Sequence, residues 1–310
     1  MGVLFIAGSA QGIADDTISI ICSTTTLGAL AEEVGGDRVT VISLVQPGVC
    51  PSHFDIRPSH VADVEQAQLI LFHGIEPWLE DLITASGNDT ITRLHLTGPW
   101  NTPALAQVKI EAIRDALVSI DPGNASYYQN NAEKAIENLI KIGESIQADI
   151  DQYTSSEIPV LCMDWQTSFV EWMGFTIVGS YGPPETLSMK DIDLLITTGK
   201  TEKAQIVIDN LQSGTDVGSE VAAAIGAEHV ALSNYPFAVP GTDTVAQMIE
   251  YNARQLTDTI RKIRAETEEI NELEARLKES RESNQIFKVL ALVFFIVSVV
   301  EALLLHVRRK

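Results

Sequence analysis

Short apolar runs rich in β-branched residues alternate with helical periodicities from residue 17 to about residue 260. That alternation is the signature of βα units building parallel sheets. Strands are predicted at 17–22 (TISIIC), 39–45 and 68–72 (QLILF), with helices at 27–34 and 58–66. A long amphipathic stretch follows the Asp121-Pro122-Gly123 turn, at 126–153, with Ile136, Leu139, Ile140, Ile146 and Ile150 at helical spacing. The α/β pattern then restarts, with strands at 159–163, 176–178, 206–208 and 230–232. Helices accompany them at 167–173, 188–198, 218–225 and from 245 onward. The chain therefore reads as two α/β lobes joined by one long rigid helix.

Both ends differ from this body. Residues 286–307 (IFKVLALVFFIVSVVEALLLHV) form an apolar run of about 22 residues, roughly 33 Å as a helix, which matches a bilayer core. Arg308, Arg309 and Lys310 follow it and place the C-terminus in the cytoplasm. The expected molecule is thus a single-pass cell-membrane protein with an extracytoplasmic body. At the N-terminus, VLFIAGSA reads as the apolar part of a secretory signal, although no Lys or Arg precedes Arg38. The expected division is a partial signal at 1–14, a first lobe at 15–123, a linking helix at 124–155 and a second lobe at 156–255. A helical stalk at 256–285, a transmembrane helix at 286–307 and a cytoplasmic tail at 308–310 complete it.

Charge removes one class of partner. The formal net charge is −21, and residues 1–250 alone carry 10 basic against 33 acidic side chains. Such a body repels phosphate backbones and excludes sequence-independent nucleic-acid binding.

Ligands of open α/β folds bind beyond the carboxyl ends of the strands. The predicted ends carry Cys22-Ser23-Thr24, then Gln46 through His53, then His73-Gly74. In the second lobe they carry Cys162 through Gln166, Asp209 through Gln212, and Ser233-Asn234. All three cysteines lie at these ends, which points to a polar, partly sulfur-lined cleft between the lobes. His73 reads as a turn residue and Trp100 as core. No G-x-S-x-G, P-loop, G-x-G-x-x-G, C-x-x-C or H-E-x-x-H occurs, and Cys, His and Asp lie on different predicted strands. An enzyme is not expected.

The segment PGVCPSHFDIRPSHVADVEQAQLILFHGIEPWLEDLI resembles the metal-binding lipoproteins of ABC importers for zinc and manganese. Pro99-Trp100 with Pro103, the DPGNASYYQNNAEKAI start of the linking helix, the PPETLS loop at 183–188 and MIEYNARQL at 248–256 extend the likeness over about 17–260. The resemblance implies two lobes bridged by a rigid helix, a metal ion carried as cargo in the interlobe cleft, and an ABC permease as partner. It also implies a ligand set of histidines and carboxylates. Here those positions fall on Ser52 beside His53, on Gly98, on Met163 between Cys162 and Asp164, and near Ser233-Asn234.

Three ligand sets remain open. His53, Asp164 and Glu185 with a cysteine would suit zinc, manganese or iron. Cys50, His53, Cys162 and Met163 would form a softer site for copper(I). Trp165, Gln166, Gln212 and Asn234 would instead take a metal chelate or a small organic solute. The expected metal-site residues are Cys50, His53, Cys162, Asp164 and Glu185, with zinc or manganese the leading cargo. The rival expectation is a surface or adhesive protein that keeps the scaffold without transport.

Overall fold

The computed structural model describes residues 17–153 and 155–308, with side chains at 299, 300 and 302–308 outside the description. The expected signal segment at 1–14 and the last two residues of the expected tail also lie outside the described residues.

The first lobe is a four-stranded parallel sheet in the order β2-β1-β3-β4. Its strands are β1 (Ile18–Cys22), β2 (Val39–Ser43), β3 (Leu69–Phe72) and β4 (Thr92–His95). Ile20 and Ile21 of β1 are fully buried, as are Leu69, Ile70 and Leu71 of β3, which explains their unbroken apolar sequences. Helices α1 (Thr25–Gly35), α2 (Pro58–Glu65) and α3 (Leu79–Ser86) supply the crossovers. One core joins Ile21 and Ile70 of the sheet to Val64 of α2 and Leu79, Leu82 and Ile83 of α3.

The second lobe repeats the plan in the order β6-β5-β7-β8, again with parallel pairings. Its strands are β5 (Pro159–Met163), β6 (Thr176–Tyr181), β7 (Ile206–Asn210) and β8 (Glu228–Leu232). Its helices are α6 (Thr167–Trp172), α7 (Met189–Thr201) and α8 (Asp216–Ile225). Leu161 and Val207 of the sheet pack against Leu195 of α7 and Val221 of α8. Helix α7 starts on a reciprocal cap, with the Ser188 hydroxyl accepting from Asp191 N and the Asp191 carboxylate accepting from Ser188 N.

Two helices lie between the lobes in sequence: α4 (Pro103–Ile120) and α5 (Ala125–Ile150). Tyr128, Ala132, Leu139, Gly143, Ile146 and Ile150 form the buried stripe of α5. Ile140, expected on that stripe, is instead exposed. Asn131 Nδ2 donates to Val34 O in α1 at 3.1 Å, and Gln147 Nε2 donates to Trp172 O in α6 at 3.0 Å. The two ends of α5 are therefore fastened to different lobes. At Gly143 an added Cβ would meet the Pro103 ring, so α5 and α4 touch where only a glycine fits.

The last helix, α9 (Val245–Arg308), opens inside the lobed unit, where Val245, Met248, Ile249 and Leu256 are buried. Residues 258–310 form a compact unit of their own. The expected transmembrane helix at 286–307 is corrected here: among the described residues no helix is long and apolar enough to cross a membrane.

Candidate binding cleft

Parallel strands bring their carboxyl ends to one edge of each sheet, and in this chain the loops leaving those edges meet. A cavity of about 260 Å³ lies there, walled by His73 and Ile75 after β3, Trp100 and Asn101 after β4, Asp164 and Trp165 after β5, and Asn234 after β8. A smaller recess of about 30 Å³ shares Trp100, Trp165 and Asn234 and adds Cys50, Ser52 and Gln212.

His73 is set in place by a tight turn. Gly74 has φ +91°, and a Cβ there would collide with the His95 ring, so the turn requires glycine. The buried Glu76 carboxylate accepts from His73 N at 3.0 Å, Gly74 N at 2.7 Å and the Ser23 hydroxyl at 2.5 Å. The His73 ring stacks on Trp100 with centroids 3.9 Å apart, and its Nε2 pairs with Thr24 Oγ1 at 2.9 Å. Burial drives the imidazole pKa down to about 4 against the opposing pull of Glu76, so the ring is neutral near pH 7. Its Nδ1 is buried with no hydrogen-bond partner.

The second lobe contributes amides. Asn234 Oδ1 accepts from Gln166 Nε2 at 3.2 Å and from Asn101 Nδ2 at 3.4 Å. Asn234 Nδ2 donates to Trp165 O at 3.3 Å, and Asn234 N donates to Gln212 Oε1 at 3.0 Å. Two amide oxygens of this network, Asn101 Oδ1 and Gln166 Oε1, are buried without a donor. Buried unpaired polar atoms are uncommon in native folds, and each marks a place where a partner belongs.

The expected site residues are dispersed. Asp164 lines the cavity and Cys50 the smaller recess. His53 is exposed on the short turn Pro51–His53 and lines neither pocket, although its neighbour Ser52 does. Glu185 is exposed on the turn Pro184–Thr186 and lines neither pocket. Cys162 is fully buried, and its thiol donates to Met163 O at 3.3 Å. Burial, with a contribution from Asp164, raises its pKa well above the usual thiol value.

Among the described residues there is no group of three or more His, Cys, Asp or Glu side chains that could hold a metal ion. A bare transition-metal ion needs several such donors converging within about 2.0–2.6 Å. The cleft offers one exposed carboxylate, a neutral imidazole and amides, and this set does not fit a bare ion. The sequence pattern placed His73 at a strand end but read it as a turn residue, read Trp100 as core and did not single out Asn101. The His73-Gly74 pair at the end of β3 was the available signal.

Residues 20–259 match the family of zinc-uptake complex component A, periplasmic. Over 251 residues the chain is 24% identical to the manganese-binding lipoprotein MntA of Halalkalibacterium halodurans, a match covering 70% of this chain and 83% of that protein. It is 29% identical over 155 residues to the iron-binding protein YfeA of Yersinia pestis, covering 43% of this chain and 50% of that relative. The fold is similar to that of the Mn-bound periplasmic metal-binding protein from Candidatus Liberibacter asiaticus, with TM-score 0.68 at 19% identity, over 79% of this chain and all of that one. MntA is a lipoprotein and the Liberibacter protein a periplasmic one by name. Together with the lack of a spanning helix among the described residues, this overturns the expected single-pass membrane localisation. The chain belongs to the zinc-uptake complex component A family of solute-binding proteins and is not an enzyme.

Proposed function

We propose that this protein is the capture component of an ABC importer, taking its cargo in the cleft between the two lobes and handing it to a permease. Transition metals are the cargo class, by analogy with relatives named for manganese, iron and zinc. The observation that carries this reading is the cavity at the carboxyl ends of both sheets, inside the stretch that matches the family. Helix α5, fastened to both lobes, favours capture with small lobe movements over wide hinge closure.

The test is cellular uptake of radiolabelled manganese, zinc and iron in a strain with and without the full-length chain. The expected result is that uptake of one metal falls at least about tenfold when the chain is deleted and returns with a plasmid copy. Uptake of all three metals unaffected by deletion would overturn the reading.

A further inference from the structure

The cavity is large for an ion and has the wrong walls for one. Its ionisable lining consists of the Asp164 carboxylate and the neutral His73 imidazole, with no lysine or arginine among the lining residues. The free hydrogen-bonding capacity is tilted toward acceptors. Asn101 is 1% exposed and lines the cavity with its Oδ1 unpaired, while its Nδ2 is committed to Trp165 O and Asn234 Oδ1. Behind Asn234, Gln166 Oε1 is likewise unpaired. Trp165, 41% exposed, contributes an indole to the wall, and Ile75 and Pro99 add apolar surface. The Trp100 ring is already stacked on His73 and lies nearly parallel to Tyr235, so Trp165 is the indole with surface left to offer.

A buried unpaired acceptor, an exposed carboxylate, an indole wall and about 260 Å³ of space describe the complement of one kind of molecule. We infer that the cleft takes a small organic solute with a flat face and N–H donors, an amine or an azole, and that any metal cargo arrives inside such a molecule. The amine N–H groups meet Asn101 Oδ1 and the Asp164 carboxylate, and the flat face lies on Trp165. A cationic indole contact adds to this, and the excess of acid over base in the body favours a positively charged solute. The inference rests on the cleft being the cargo site, as proposed above. It names the form in which the cargo is recognised.

Histamine is a suitable probe, because it combines an ammonium group, a flat azole and a two-nitrogen grip on metals. Isothermal titration of the full-length chain would compare zinc chloride alone, histamine alone and a preformed zinc–histamine complex. The expected result is one-to-one binding of a histamine-containing probe at least about tenfold tighter than zinc chloride. Trp165→Ala and Asp164→Asn, both at exposed positions, should each weaken it by about tenfold while leaving the melting temperature unchanged. Binding of the complex but not of free histamine identifies a metal carried in an organic shell, and equal binding of both identifies the organic molecule itself.

Two results would overturn the inference. One is a single site filled by zinc chloride more tightly than by either histamine probe. The other is silence from all three probes up to about 1 mM. Metal uptake that depends on the chain, together with tight bare-zinc binding, would leave the capture function standing and remove this inference alone. Histamine binding without any effect on metal uptake would do the reverse.

Discussion

The indole Nε1 of Trp100, on the loop after β4 of the first lobe, donates to the backbone carbonyl of Asn234, on the loop after β8 of the second, at 2.8 Å. The same carbonyl accepts from Thr26 Oγ1 at 2.8 Å, and Thr25 Oγ1 reaches Pro236 O at 3.0 Å. One peptide unit of the second lobe is thus held by two side chains of the first. Trp100→Phe keeps an aromatic ring beside His73, deletes the donor and trims the buried indole. Because Thr26 still satisfies the Asn234 carbonyl, the hydrogen-bond share of the loss should be that of a single bond, about 1 kcal/mol, with the trimmed ring adding to it. For a unit of this size that lowers the melting temperature by roughly 2–4 °C, read by circular dichroism. An unchanged melt would mean the bond contributes nothing to the seam.

His73 makes stability depend on pH. Its folded pKa lies near 4 and its ordinary value is 6.5, so between these limits the unfolded chain binds a proton that the folded chain refuses. Stability should therefore fall as pH drops from about 6.5 to about 4, by at most about 1.4 kcal/mol per pH unit. The Glu76 carboxylate opposes the shift, while Lys109 and His95 reinforce it. Glu33 acts with the opposite sign. Burial lifts its carboxyl to about 7 from 4.5, so its share of stability falls as pH rises across that window. Denaturant melts of wild type and His73→Gln from pH 4 to 7 should separate the two, with the acid-side decline shallower in the variant. Parallel pH curves would count against a neutral His73.

Asp209, at the end of β7, is fully buried and accepts from Tyr181 Oη at 2.7 Å and from His229 Nε2 at 2.8 Å. Gly218, in the first turn of α8, presses so close that a Cβ would strike the carboxylate. His229→Ala should cost about 1.5–3 kcal/mol, the range for a hydrogen bond to a charged group. Urea unfolding with an unchanged slope would be the measurement. A loss under about 0.5 kcal/mol would show that Tyr181 alone satisfies Asp209.

The three cysteines are unpaired and differ in access. Cys22 and Cys162 are fully buried, with burial raising both thiol pKa values, whereas Cys50 is half-buried at the rim of the smaller recess. A thiol reagent added to the native protein should label one cysteine quickly and the other two only after denaturation. Mass mapping that found rapid native labelling of Cys162 would contradict its place in the core.

Seven of the eight described strands were legible from their apolar, β-branched runs, which are most deeply buried in β1, β3, β5 and β7. β4 was not, since Thr92, Arg93 and His95 are exposed on an edge strand and give no apolar run. α4 hides for a related reason: Val108 is 58% exposed while the neighbouring Lys109 is buried, its ammonium donating to Thr97 O. That inversion blunts the helical periodicity on which the reading depends. The site was legible as a place and not as a set of side chains. Strand ends predict where loops converge, but Cys162 sits within β5, whose last four residues are buried on both faces of the sheet, so its side chain lies in the core. His73 was visible as a strand-end residue, but only the Gly74 turn and the Glu76 carboxylate give it a fixed orientation in the wall.

Gln212 adds one more tie between the lobes, its Nε2 reaching Pro47 O at 3.0 Å while its Oε1 holds Asn234 N. With the bonds through Thr25, Thr26 and Trp100, it closes a seam beside the cavity. Any parting of the lobes must first break these bonds, so each of them raises the cost of opening the cleft wider.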